Sequence, residues 1–219
     1  MDKEFWLERW RLNQIGFHQA DYNARLQRFW PGLALPADSQ VFVPMCGKTR
    51  DMLWLAGLGH SIVGVELAPV AVEAFFADAG IPYSAHAHGA MTLYASERIR
   101  IFCGDFFALD AQDLSGTAGV FDRGALVALP PPLRARYVEH LLDVLPVGTA
   151  ILLLTIEYEQ TRVAGPPFAV LPDEVAGRYG ARCNIECLET AEVSAVPPHF
   201  AQAGVSSARE SSYCIVKER

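Results

Sequence analysis

Four short stretches carry the residue types that bind polar ligands and steer charge: Pro44-Met45-Cys46-Gly47-Lys48-Thr49, Glu66, Gly104-Asp105 and Asp122-Arg123. Each follows an apolar run that reads as a β-strand. In open α/β sheets, ligands bind beyond the carboxyl ends of the strands, near the point where the strand order reverses. An acid after the second strand, an acid after the third and an acid–base pair after the fourth therefore mark a candidate cleft. Glu66 stands about twenty residues past the first strand–helix loop, where an acid can accept both hydroxyls of an adenosine ribose. On position alone, a surface glutamate is an equally good reading. Arg123 can hold a carboxylate, or favour a thiolate by lowering a thiol's pKa. Asp105 can accept a hydrogen bond from an adenine amino group, although taken alone the turn-residue reading is the better of the two.

The first loop separates cofactor classes. A dinucleotide needs several glycines so that backbone can approach its pyrophosphate. A P-loop needs a second glycine upstream of Gly47-Lys48-Thr49. This loop has a single glycine. S-adenosylmethionine, an adenosine with a sulfonium and an amino acid tail but no phosphate, fits such a loop. Other candidates are weaker. His86 and His88 lack further metal ligands. Cys46 has no assignable base. The aromatics Trp6, Trp10 and Phe17 read by default as core.

The elements that would position these residues follow a strand–helix alternation. Helical stretches over 4–12 and 22–30 precede the first strand and read as a cap. Strands are expected at 41–43, 62–66, 99–103, 119–122 and 150–154, with helices at 51–58, 69–79, 133–145 and 172–179. Two late strands, 184–189 and 211–217, have little helix between them and predict an antiparallel hairpin at one edge. The segment between 80 and 98 reads as a loop of small residues and His. Continuous apolar runs imply strands covered on both faces, and the alternation implies βαβ units. The result is a doubly wound sheet of seven strands in one domain, residues 1–35 forming the cap and 36–219 the α/β core.

Bulk properties narrow the function. The chain has 219 residues, 51% hydrophobic and 20% charged, with formal net charge −7 and no basic run. Nucleic-acid binders usually carry a basic face, so a small-molecule partner is expected rather than nucleic acid. The charged N-terminus lacks the apolar region of a signal peptide, and no apolar run is long enough for a membrane span. Five cysteines, an odd number, point to free thiols in the reducing cytoplasm. No exposed apolar stripe stands out, so a monomer is expected.

Val41-Phe42-Val43-Pro44-Met45-Cys46-Gly47-Lys48, Asp51-Met52, Trp54-Leu55-Ala56, Gly59-His60 and Val63-Gly64-Val65-Glu66-Leu67 resemble the core of the thiopurine S-methyltransferase family. Upstream, Trp6, Trp10 and Gly16-Phe17-His18-Gln19 are similar to its N-terminal segment. Downstream, Asp122-Arg123-Gly124-Ala125-Leu126-Val127-Ala128-Leu129 and Gly165-Pro166-Pro167-Phe168 resemble its later motifs. The resemblance implies a class I S-adenosylmethionine-dependent methyltransferase with a helical cap, releasing S-adenosylhomocysteine. It implies that Trp10, Met45, Glu66 and Arg123 contact the cofactor, that Gly104 and Asp105 lie near the adenine, and that Phe17 stacks on an aromatic acceptor. The family methylates aromatic and heterocyclic thiols, and bacterial relatives are associated with selenium and tellurium species. Three positions depart from the family pattern: Met45 where leucine is common, Gly124 where alanine is frequent, and His199-Phe200 in place of an arginine-containing stretch.

A sulfonium methyl needs no activation, so the protein's tasks are alignment and exclusion of water. The expected catalytic residues are Arg123, stabilising a thiolate, and Asp122, orienting Arg123 or a water. Rival readings are a nicotinamide-dependent oxidoreductase, which the missing glycine fingerprint disfavours, a nucleic-acid methyltransferase, a non-catalytic binding protein, and a methyltransferase of this fold with a different small acceptor.

Overall fold

The computed structural model describes residues 3–193, 196 and 198–219, with 198 and 199 described by backbone alone. The helices are α1 (Lys3–Arg11), α2 (Ala24–Phe29), α3 (Asp51–Gly57), α4 (Pro69–Ala79), α5 (Pro131–Val144), α6 (Pro172–Tyr179) and α7 (Pro198–Gln202). The strands are β1 (Gln40–Val43), β2 (Ser61–Glu66), β3 (Ser84–His88), β4 (Met91–Ala95), β5 (Ile99–Cys103), β6 (Thr117–Asp122), β7 (Ala150–Glu157), β8 (Cys183–Glu192) and β9 (Arg209–Lys217). They form one sheet in the order β3-β4-β5-β2-β1-β6-β7-β9-β8. Strands β5, β2, β1, β6 and β7 are parallel, and the order reverses at β1.

The sheet has nine strands, not the expected seven. The late hairpin β8–β9 is present and pairs antiparallel with β7. The two additional strands, β3 and β4, extend the other edge as a second antiparallel hairpin. Ser84-Ala85-His86-Ala87-His88 is exposed throughout, so it carries none of the apolar alternation by which a half-buried strand is recognised. A turn signal does exist: Gly89, at φ 56, takes the first position of a two-residue connection, as Gly-X hairpins favour.

Both faces of the sheet are covered, as the apolar strands require. Phe42, Val65, Val120, Leu153 and Ile215 pack with Tyr137, Leu141 and Tyr179 on one side. Val41, Val43, Phe121 and Leu152 pack with Met52, Leu55, Phe75 and Phe76 on the other. The cap shares this second layer through Leu26 and Trp30, the indole of Trp30 donating to buried His60 at 3.3 Å. Gly119 makes room for this packing, because a β-carbon there would force Leu35 and Trp30 to shift. The N-cap Asn23 satisfies the amides of Arg25 and Leu26, meeting two of the donors that a helix start leaves unpaired. Arg25 reaches Glu189, Glu210 and Ser212, fastening α2 to the β8–β9 edge. Helix α1 lies over α4, with Trp10 and Leu7 against Ala68 and Ala71.

Candidate active site

The loop after β1 is built around backbone conformations with positive φ, at Met45 (46°) and Gly47 (52°). Its amides turn inward. Cys46 N–H donates to Val65 O at 2.9 Å and Thr49 N–H to Cys46 O at 3.1 Å, while Gly47 N–H donates to Glu66 Oε2 at 2.8 Å. A pyrophosphate cradle needs such amides aimed outward, so this loop offers none at those three positions. Its single glycine has another cause: a β-carbon at Gly47 would sit 2.9 Å from the Trp10 ring.

Glu66 ends β2 with its side chain buried, its second oxygen accepting Ala68 N–H at 2.8 Å at the start of α4. Burial raises its pKa, and the amides of Ala68, Gly47 and Leu67 oppose that rise. Each oxygen accepts one amide and can still accept a second donor, which suits ribose hydroxyls. The donor and acceptor set therefore fits a phosphate-free adenosine cofactor. Gly104 N–H donates to Glu66 O at 2.8 Å, holding the loop after β5 beside this acid. Any β-carbon on Gly104 would collide with Met91. Asp105 does two things: it caps Phe107 N–H at 3.1 Å and accepts Lys3 Nζ at 2.7 Å. Nothing near Lys3 in sequence signals that pairing.

Asp122 and Arg123 part company. Asp122 is fully buried and accepts Tyr137 OH at 2.7 Å and Leu126 N–H at 3.1 Å. Burial pushes its pKa up to about 6, against the hydrogen bonds from Tyr137 and from the Leu126 and Ala125 amides. Among the described residues no ion pair joins it to Arg123, so the expected direct orientation of the guanidinium by Asp122 is not what the geometry contains. Arg123 instead donates to the carbonyl of Phe17 at 3.4 Å. Burial lowers the Arg123 pKa, and the charges of Asp51 and Glu210 oppose that. Consecutive residues leaving a strand point to opposite faces, and this separates the two side chains.

Phe17 is 41% exposed and meets the rings of Trp6 and Trp10 edge-on, each at 5.6 Å between centroids. Trp10, Gly47 and Glu66 thus form one contact chain, and Trp10, Phe17 and Arg123 a second that shares its indole. Sequence reading missed the residues that fix the cap loop. Arg50 donates to Ala20 O at 2.8 Å, and Asp51 accepts Asn23 N–H at 2.8 Å and the Thr49 hydroxyl at 2.9 Å. Asp51 is buried, and its polarity inside an apolar helix start was the available signal.

The two thiols beside Glu66, Cys46 and Cys103, are inert candidates. Burial, with a smaller share from Glu66, raises Cys46 well above the ordinary thiol range, and the same two causes lead the rise of Cys103 to about 11. All five cysteines are free. Among the described residues no group of His, Cys, Asp and Glu could hold a metal ion; His88 pairs with Asp113 at 2.8 Å. The side chain of His199 lies outside the described residues.

The family model described as thiopurine S-methyltransferase matches residues 1–218. A thiopurine S-methyltransferase of Pseudomonas fluorescens is 45% identical over 216 residues, covering 99% of each chain. Among solved structures, a SAM-dependent methyltransferase from Anabaena variabilis superposes with TM-score 0.66 at 13% identity, over 99% of this chain and 95% of its own. The 1,6-didemethyltoxoflavin-N1-methyltransferase of Burkholderia thailandensis, solved with S-adenosylhomocysteine bound, gives TM-score 0.63 at 16% identity, over 99% and 87%. These likenesses establish the class I methyltransferase fold, to which the β3–β4 hairpin adds an edge.

Proposed function

From the premise that this chain belongs to the thiopurine S-methyltransferase family, we propose that its cleft moves the methyl group of S-adenosylmethionine onto the sulfur of a small aromatic or heterocyclic thiol. The observation that carries this reading is the shared indole: Trp10 touches Gly47, whose amide holds Glu66, and also touches Phe17, whose carbonyl holds Arg123. A nucleoside site and an exposed aromatic wall thereby meet beside a fixed cation.

When bound, the cofactor supplies a methyl group on a sulfonium, which requires no activation. Glu66 would receive the ribose hydroxyls. Met45, Gly104 and Trp10 would wall the cofactor, and Asp105 would accept from the adenine amino group. Phe17 stacks the acceptor ring, an offset or edge contact being the favoured geometry. Arg123 faces the acceptor sulfur and favours its thiolate form, the nucleophilic state of a thiol. Asp122 is a positioning residue: by accepting Leu126 N–H and Tyr137 OH it sets the turn that carries Arg123.

The acceptor is a small molecule rather than nucleic acid, in keeping with the net charge of −7. No described helix is long and apolar enough to cross a membrane. The free thiols support a reducing cytoplasmic setting, with the chain acting as a monomer, which light scattering checks.

The test is transfer of labelled methyl from S-adenosylmethionine to a panel of an aromatic thiol, a thiopurine, selenite, a catechol and an amine. Label on the sulfur compounds is expected. Label on selenite extends the reading to selenium. Label confined to the catechol or amine replaces the acceptor class.

A further inference from the structure

Thiol methylation leaves one proton to be removed, and the groups placed at the cleft so far are poorly suited to take it. Glu66 holds a backbone amide at each oxygen and keeps its remaining lone pairs for the ribose hydroxyls. Asp122 is enclosed behind the sheet with Tyr137. Asp51 is committed to Asn23 and Thr49, Asp78 to Lys48, and Glu210 to Arg25. Arg123 is a cation with no proton-accepting role at neutral pH. Asp105 stands on the adenine side with Lys3, whereas His18 immediately follows the proposed stacking residue Phe17. The carbonyl that receives the Arg123 guanidinium belongs to the peptide joining Phe17 to His18. A second guanidinium, that of Arg50, holds the same loop at Ala20, and His18 N–H donates to Ile15 O at 2.8 Å. The backbone on both sides of His18 is therefore pinned, and the residue is half-buried.

We propose that the imidazole of His18 is the base that takes the proton from acceptor thiols too weakly acidic to ionise in solution. The S–H bond breaks with its electron pair left on sulfur, an N–H bond forms on the ring, and the imidazolium later gives that proton to water. The inference rests on the S-methyltransferase reading above. Charged groups face His18 from three elements: Lys48 and Arg50 from the loop after β1, Asp78 from α4, and Arg123 from the turn after β6. Burial, then Lys48, with smaller shares from Arg123 and Arg50, lowers the His18 pKa from the usual 6.5, and Asp78 opposes them. The ring is thus neutral and able to accept at pH 7, and imidazole is the commonest side chain in that role.

The experiment compares wild type with H18Q across acceptor thiols of graded acidity at pH 7, with Tm and calorimetric binding of S-adenosylhomocysteine as folding controls. The expected loss in kcat/KM grows with the thiol's pKa, reaching roughly 100-fold for the weakest acids. A loss of equal size for every acceptor, or none, overturns the proposal. A second measurement needs no functional variant: the pH profile of kcat/KM in wild type with a weakly acidic thiol. The rate should level off once the imidazole is neutral, at or below the usual 6.5; a rate that keeps climbing toward the thiol's own pKa overturns the proposal. Wild-type protein that methylates strongly acidic thiols sustains the parent reading whatever His18 does, whereas wild type that methylates no thiol removes both.

Discussion

Trp10 and Gly47 meet so closely that a β-carbon on the glycine would lie 2.9 Å from the indole edge. Two requirements coincide at this residue, because its φ of 52° is also one that L-residues adopt at a cost of roughly 1–2 kcal/mol. Gly47→Ala should lower Tm and weaken binding of S-adenosylhomocysteine by displacing either Trp10 or the amide that holds Glu66. Thermal melts and calorimetry read both effects, and an alanine variant with native affinity would detach this contact from the cofactor site.

Glu66→Gln keeps the shape of the side chain and removes the charge. Two amides donate to the two carboxylate oxygens, and a carboxamide offers an oxygen to only one of them. Cofactor affinity should fall at least tenfold, about 1.4 kcal/mol. Native affinity in titration calorimetry would take Glu66 out of the site.

Asp122 makes stability depend on pH. Its pKa rises from 3.8 to about 6 on folding, so between those values the native state binds more protons than the unfolded chain. The stabilising contribution of the protonated form is complete below 3.8 and is lost as pH rises through about 6. At roughly 1.4 kcal/mol per pH unit, the loss relative to the uncharged D122N variant amounts to roughly 3 kcal/mol. Urea denaturation of wild type and D122N at pH 4, 5, 6 and 7 should show their stabilities diverging over that range; parallel curves would refute the burial argument.

Arg123→Ala should reduce kcat/KM by roughly 100-fold for weakly acidic thiols, since one oriented donor at a developing charge is worth about that much. Less loss is expected for thiols already ionised. Lysine restores the charge but not the reach to Phe17 O, so partial rescue by R123K should accompany altered KM for aromatic acceptors. Equal losses along the acidity series would place Arg123 away from the sulfur.

The cysteines should react in a fixed order. Cys187 is exposed, whereas Cys46, Cys103 and Cys183 are buried, and reaction requires an accessible thiolate. Brief alkylation of native protein followed by mass spectrometry should mark Cys187 first. Early marking of Cys46 would contradict its enclosure.

Much of this architecture is legible because parallel strands covered on both faces are written as unbroken apolar runs: β2, β5 and β7 follow from Ile62-Val63, Ile101-Phe102-Cys103 and Ile151-Leu152-Leu153. The β3–β4 hairpin does not, because His and Ser on an exposed edge strand leave no periodic signal. In the site, Glu66 is identifiable from its distance to the first loop. Asp122 and Arg123 mislead as a pair because adjacency in sequence at a strand end means divergence in space; Val120 and Asp122 share a face, and that parity is readable. Lys3 against Asp105, and Arg50 against Ala20, join parts of the chain too far apart for spacing to predict.

The cap loop is fixed at Phe17 by Arg123, at Ala20 by Arg50 and at Asn23 by Asp51, and the last two of these anchors stand only a few residues beyond the loop that Glu66 organises. On the proposed reading, nucleoside and acceptor press on one mechanical body through a common indole. Ordering of that body by either ligand is ordering the other no longer has to supply. The two affinities are then linked thermodynamically, each ligand strengthening the other by the same factor. Such heterotropic cooperativity favours an ordered cycle in which an acceptor is held firmly only when a methyl donor is already in place.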